Sequence, residues 1–199
     1  MTSSVSSSVA PPAQSGGAPL HFIAISGSLR ANSLNTGVVL TVSELCVAPV
    51  TMTVYGGLGS LPFFNQDVEE SCPPPEVVEL RELIAASDGV FISSPEYAHG
   101  TSGVLKNGLE WIVGGGELVD KPVAVVTASP AATGGDRAQA WLRETLEVMG
   151  ADILPESMCI PVAGAKMSGG RVTEEATLQG LRDVLAAMAR AAAVRAAGS

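Results

Sequence analysis

Short runs of consecutive apolar residues alternate along this chain with stretches in which apolar positions recur every three or four residues. The runs are FIAIS (22–26), VTMTVY (50–55), GVFIS (89–93) and VAVVTAS (123–129), with a weaker one inside ADILPESMCI (151–160) that Pro155 interrupts. Most are apolar on both faces, as strands buried on both sides of a sheet must be. Between them the helical spacing predicts five helices. The first runs from Ser33 to Cys46, with Leu34, Val38, Val39, Val42 and Leu45 on its stripe. The second runs from Pro75 to Ala86, where a proline in the first turn costs little. The third covers Thr101 to Val113, with Leu105, Leu109 and Ile112 on one face, and the fourth covers Asp136 to Met149, with Ala138, Leu142 and Leu146. The last spans Thr173 to Ala196, with Glu174 and Glu175 suited to its positive N-terminal end.

Five strands alternating with five helices predict an α/β fold, a five-stranded parallel sheet with helices on both faces. A polar loop after the first strand suits the flavodoxin-like strand order 2-1-3-4-5, with a ligand crevice where the carboxyl ends of the first and third strands lie side by side. Neither a repeat nor a second domain is visible in the 199 residues, so residues 20–199 read as one domain. Residues 1–19, made of Ser, Ala, Pro and Gly with few other types and no charge, read as a disordered tail. They lack the basic and apolar regions of a secretory leader.

Composition narrows the partners. The net charge is −9, with lysines and arginines scattered singly, which argues against a nucleic-acid or anionic-membrane surface. No apolar run approaches the roughly 18 residues of a membrane span. Three distant cysteines, Cys46, Cys72 and Cys159, form neither a zinc spacing nor a disulfide framework. Buried free thiols in a reducing cytoplasm are expected. With only His21 and His99, a histidine-based triad or metal site has little to draw on, and His21, opening a strand, reads as structural.

Three loops carry candidate chemistry. In SGSLRANSLN (26–35) a tight turn runs into a helix N-terminus, whose free N–H groups attract anions. Ser28, Ser33 and Asn35 add short polar side chains, and Arg30 adds a planar donor fork suited to a phosphate monoester. An ordinary turn, with Ser33 as helix cap and Arg30 in water, is the alternative. In SSPEYAHGTSG (93–103) Pro95 stiffens the turn, Tyr97 offers a flat ring, and Gly100 and Gly103 permit close approach, a combination suited to a planar ligand. The small residues of TASPAATGGDRAQ (127–139) leave room beside the same crevice. A dinucleotide fingerprint, a Walker loop and a hydrolase elbow are all missing.

Together these loops resemble the NADPH-dependent FMN reductase family of flavodoxin-like proteins. The resemblance lies in Gly27-Ser28-Leu29-Arg30 followed by Ser33 and Asn35, in Pro95-Glu96-Tyr97, and in GVLKNGLEW (103–111). LPFFNQDVE (61–69) and the fourth strand and helix add to it, so the likeness covers about residues 21–190. It implies FMN with its phosphate on Ser28, Arg30, Ser33 and Asn35. Pro95, Glu96 and Tyr97 would border the isoalloxazine, with Ser129, Gly134 and Gly135 on another side. It implies no catalytic acid or base and no metal. Lys106 and Asn107 read as structural or interface residues in preference to catalytic ones, and Trp111 as packing at a helix end in preference to stacking on flavin. Ala98 and Ser102 depart from the family's Asn and Pro and would loosen the ring-side loop. The implied reaction is hydride transfer from NADPH, or NADH, through FMN to a small acceptor such as a flavin, quinone, azo compound or chromate. A non-enzymatic electron carrier or flavin-binding module is the alternative. A homodimer or homotetramer is expected, with the third and fourth helices as contacts. Arg137, at a helix start, reads as a solvated residue in preference to a reader of the NADPH 2′-phosphate.

Overall fold

The computed structural model describes residues 18–198; residues 1–17 of the expected tail lie outside them. The main sheet contains β1 (Leu20–Ser26), β2 (Val50–Tyr55), β3 (Gly89–Ser94), β4 (Pro122–Ala128) and the short β5 (Asp152–Ile153) and β6 (Met158–Ile160). Its order is β2-β1-β3-β4-β5, with β6 also on β4, and every pairing is parallel. The helices are α1 (Leu34–Leu45), α2 (Gln66–Ser71), α3 (Pro75–Ala86), α4 (Gly103–Val113), α5 (Asp136–Val148) and α6 (Glu175–Gly198). Strand β7 (Met167–Ser168) turns back on β8 (Arg171–Val172) as a hairpin.

The alternation of side chains along each strand divides the core in two. Ile23, Ile25, Val90, Ile92, Val123 and Val125 face α3, α4 and α5, whereas Phe22, Ala24, Phe91, Ala124 and Val126 face α1 and α6. Both faces are covered along β3 and β4, which is why these strands read as nearly unbroken apolar runs, whereas β2 at the edge exposes Thr51 and Thr53.

Three features depart from the expected plan. The fifth strand is broken at Pro155: Ile153 pairs with Val123 and Met158 with Val126, so the edge chain carries two more residues than β4 over that interval. Proline cannot donate to the ladder, and the Ser157 hydroxyl accepts from the Val125 amide (3.0 Å) where the chain detours. Helix α2 and the β7–β8 hairpin are additional elements, too short to show a period. The cysteines are free, but Cys72 is exposed and Cys46 and Cys159 are only half-buried, against the expectation of buried thiols. Among the described residues no helix is long and apolar enough to cross a membrane.

One buried charge supports this frame. Lys121 is 2% exposed and its ammonium donates to the carbonyls of Ile84 (2.6 Å), Ala85 (3.2 Å) and Ser87 at the end of α3. It thereby satisfies carbonyls that a helix C-terminus leaves open. Burial pushes its pKa down to about 8. Lys121→Met should cost about 1–3 kcal/mol by leaving these carbonyls unpaired. Between pH 8 and about 10.4 the unfolded parent binds a proton that the folded parent does not, so the parent gains stability with pH in that window relative to the variant. Urea titration of both proteins across the window reads the difference, and parallel curves would contradict it.

Candidate functional site

The first loop leaves β1 at Ser26. The Gly27 amide donates to the Ser93 carbonyl (2.8 Å), tying the loop to β3. A Cβ on Gly27 would stand 3.1 Å from both Leu105 and Ser94, so the bare backbone is what lets the turn lie against α4. Ser28 is half-buried, and its hydroxyl faces the Arg30 amide (3.4 Å). Ser33 is the N-cap of α1, its hydroxyl accepting from the Thr36 amide (3.2 Å). The amides of Leu34 and Asn35 meet no protein acceptor, and the exposed Arg30 guanidinium meets no partner, among the described residues. The Asn35 side chain turns inward instead. Only 3% exposed, it accepts from Ser93 Oγ (2.9 Å) and the Ala128 amide (3.0 Å) and donates to the Ala128 carbonyl (3.0 Å). Its side-chain amide binds the ends of β3 and β4, so the anion-facing donor at this position is its main-chain N–H.

The second loop follows β3. Pro95 is buried and Tyr97 is 49% exposed. Tyr97 and Gly100 exchange backbone hydrogen bonds (2.9 and 3.0 Å) around Ala98 and His99, whose φ angles are +48° and +64°. Two positive φ values make this a type I′ turn, a conformation favouring Asn and Gly. Ala98 therefore sits, strained, where the family's Asn would be at ease. Ser102, the other departure, caps α4 by accepting from the Leu105 amide (3.3 Å). The Glu96 carboxylate reaches out of this loop and accepts from the amides of Arg137 and Ala138 (3.1 Å each). It caps α5 from a neighbouring loop, because α5 opens on Gly135 and has no cap of its own. Of the three helix N-termini here, that of α5 is filled by Glu96, that of α4 is capped by Ser102, and that of α1 keeps the Leu34 and Asn35 amides open to an anion.

The third loop follows β4. Ser129 is fastened to the β6 side: its amide donates to the Ile160 carbonyl (3.2 Å) and its carbonyl accepts from the Ala163 amide (2.9 Å). Gly134 and Gly135 have φ of +69° and +88°, and a Cβ on Gly134 would lie 2.8 Å from the Pro161 nitrogen. Only glycine passes there, and the Gly-Gly pair brings α5 back against Thr127 and Glu96.

The segment after β2 holds no candidate residue, yet it forms one wall. Asn107 accepts from the Phe64 amide (2.8 Å), and both Asn107 Nδ2 and Trp111 Nε1 donate to the Pro62 carbonyl (2.8 Å each). Phe64 packs edge-on to Trp111 at 5.0 Å. A Cβ on Gly108 would meet Leu58 at 2.8 Å, so the glycine lets this segment press against α4. Positions 107, 108 and 111 of the GVLKNGLEW stretch thus form a clamp on the segment, as the structural reading of Asn107 and Trp111 anticipates. Lys106 pairs with Glu110 at the surface (2.5 Å).

Between this wall and the first two loops lies a cavity of about 780 Å³. Gly27, Ser28 and Arg30 line one side, Leu58, Leu61 and Pro62 another, and Tyr97, Ser102 and Val104 the third. Leu29, Phe63 and Tyr97 stand exposed at its rim (59%, 91% and 49%). Ser33, Asn35, Pro95, Glu96 and the third loop do not line it; Glu96 meets Gly135 on the β4 side, and Gly134 lies against Cys159, Ile160 and Pro161. The donors that line it, a cation and a hydroxyl beside an apolar wall on the loop that leads into the open end of α1, fit a molecule that is anionic at one end and flat and apolar at the other.

A parallel sheet of this order with a ligand crevice at its switch point defines a flavodoxin-like α/β protein. Residues 20–165 match the family described as NADPH-dependent FMN reductase, and the chain belongs to that family. It is accordingly a flavin-dependent NAD(P)H oxidoreductase. An NAD(P)H-dependent FMN reductase of Pseudomonas aeruginosa is 32% identical over 85% of this chain and 93% of its own. A quinone reductase of Escherichia coli is 33% identical over 70% of this chain and 77% of its own. Among solved structures, FerB, a flavoenzyme NAD(P)H:(acceptor) oxidoreductase of Paracoccus denitrificans, superposes with a TM-score of 0.74 at 29% identity, covering 86% of this chain and 98% of its own.

The strained turn yields a prediction. Ala98→Asn should raise stability by about 1 kcal/mol, the cost that a left-handed backbone imposes on alanine. Thermal melting of parent and variant reads it, and an unchanged midpoint would mean that the loop carries no such strain.

Proposed function

We propose that the chain carries hydride from NAD(P)H to a small, flat acceptor of the quinone or flavin class through FMN seated in this crevice. The cavity at the end of β1 carries this reading: it sets an unpaired arginine against an apolar wall, on the loop that runs into the open N-terminus of α1. Ser28, Arg30 and the first amides of α1 would hold the phosphate, with Ser33 and Asn35 shaping that loop. Pro95, Glu96 and Tyr97 would set the ring side, and Ser129, Gly134 and Gly135 the β4 side. Bound there, FMN would supply the hydride chemistry between the nicotinamide and the acceptor. The protein's part is to hold the phosphate end, exclude water with the Leu58, Leu61 and Pro62 wall, and leave one face accessible. No side chain is required as an acid or base.

The acceptor class follows from the rim. Leu29, Phe63 and Tyr97 present apolar surface to solvent beside the mouth, which suits an aromatic or quinonoid acceptor better than a small oxyanion such as chromate. The names of the Pseudomonas and Escherichia relatives, an FMN reductase and a quinone reductase, point the same way. A pure electron carrier would need a protein reductant, whereas this family is named for its use of NADPH.

Arg30→Ala should weaken FMN binding about 10- to 150-fold, the equivalent of losing about 1.5–3 kcal/mol of charge-assisted hydrogen bonding. Flavin fluorescence quenching measures it, and equal affinity in parent and variant would remove Arg30 from the phosphate site. Anaerobic addition of NADPH to excess FMN with catalytic amounts of protein should bleach the flavin. Flavin that binds and stays oxidised with both NADPH and NADH would refute the reductase reading.

A further inference from the structure

The chain has eleven lysines and arginines. Six are in ion pairs, Lys121 and Arg143 donate to main-chain carbonyls, and Arg195 is also engaged. Arg30 and Arg137 remain. Neither guanidinium meets a carboxylate or a carbonyl among the described residues, and both lie at the carboxyl edge of the sheet, Arg30 on the loop after β1 and Arg137 in the first turn of α5. In a chain of net charge −9 this is selective placement, since acidic partners are abundant elsewhere.

Arg137 differs from Arg30 in having a companion. Its NH1 stands 2.5 Å from His99 Nδ1 and 3.1 Å from Nε2. His99 reaches it from the Tyr97–Gly100 turn, at a φ of +64° in the left-handed region. The nearby carboxylates are aimed elsewhere: Glu96 accepts from the main-chain amides of Arg137 and Ala138, and Asp136 Oδ1 also accepts from the Arg137 amide (3.0 Å). What faces solvent is a set of guanidinium N–H donors beside an imidazole, two groups that bind nothing but each other. Such a pair offers a planar fork of N–H donors and a fixed positive charge, which is the chemistry of a phosphate monoester site.

We propose that His99 and Arg137 form the site for the 2′-phosphate of NADPH. This inference rests on the reading of the chain as an NAD(P)H oxidoreductase. The first and third loops then divide the work: Arg30 faces the flavin phosphate, and the His99–Arg137 pair faces the phosphate that distinguishes NADPH from NADH. Tyr97 lines the cavity and His99 lies two residues further along the same turn. One short loop therefore links the ring-binding cavity to the phosphate site. Arg137 is exposed, as its reading as a solvated residue expects, and that reading leaves out the partner from another loop.

The test is calorimetric and needs no turnover. FMN-loaded parent protein, Arg137→Ala and His99→Ala are titrated with NADP+ and with NAD+, which differ only in the 2′-phosphate. The parent should bind NADP+ about 10- to 100-fold more tightly than NAD+. Arg137→Ala should abolish that preference, and His99→Ala should reduce it. Arg137→Lys should keep part of it, holding the charge without the planar fork. Circular dichroism confirms that each variant is folded; the Arg137 side chain hydrogen-bonds to His99, and Glu96 caps α5 through main-chain amides, so the substitution leaves that cap in place. A parent without preference for NADP+, or an Arg137→Ala variant that keeps it, overturns the proposal. The preference for NADP+ with no flavin bleaching by either reduced nucleotide would uphold this site and refute the proposed reaction instead, so the two failures are distinct.

Discussion

The side-chain amide of Asn35 sits where the first turn of α1 crosses the carboxyl ends of β3 and β4, and its three hydrogen bonds join all three. A buried primary amide without partners costs several kcal/mol in desolvation, so the arrangement holds only when α1 is seated at one height over the sheet. Seating α1 there also sets its N-terminus at the crevice. The unfilled amides of Leu34 and Asn35, the Ser33 cap and the loop bearing Arg30 all take their positions from it. In this sense a buried structural contact orients an exposed anion-facing surface, and the same residue serves both: side chain inward, main-chain N–H outward.

The other walls are held in a similar way, by polar side chains that reach across to a neighbouring loop. Glu96 leaves the β3 loop to cap α5, which ties the width of the crevice on the β4 side to a charge-assisted contact. Asn107 and Trp111 leave α4 to hold the Pro62 carbonyl, which fixes the apolar wall. These loops carry few regular backbone bonds, and side chains replace the ladder hydrogen bonds that strands would have supplied. Function here depends less on reacting residues than on the separation of these walls, as expected where a cofactor carries the chemistry.

Much of the fold is legible in the order of the residues. Runs such as VAVVTAS are apolar on both faces, and only a strand covered on both sides explains that pattern; the order β2-β1-β3-β4-β5 agrees with it. The helix starts expected at Ser33 and Asp136 fall within a residue of those observed, because caps and stripes are local. Helix α2 and the β7–β8 hairpin escape the pattern because they are too short for any period to show. Pro155 signals the break in the fifth strand, but nothing in the local sequence signals its accommodation by the Ser157 hydroxyl.

The candidate site divides along the same line. Local sequence is enough to mark the first loop as anion-seeking, the turn after β3 as tight, and Gly134 and Gly135 as a sharp bend, since backbone freedom, fixed charge and capping are properties of neighbouring residues. Tertiary structure alone decides that Asn35 grips Ala128 across 93 positions, that Glu96 caps a helix 41 positions away, and that His99 meets Arg137 across 38. Those pairings depend on which strands lie side by side. Side chains distant in sequence meet because a parallel sheet brings every carboxyl-end loop to one edge, and no periodicity within a segment encodes its neighbour across that edge.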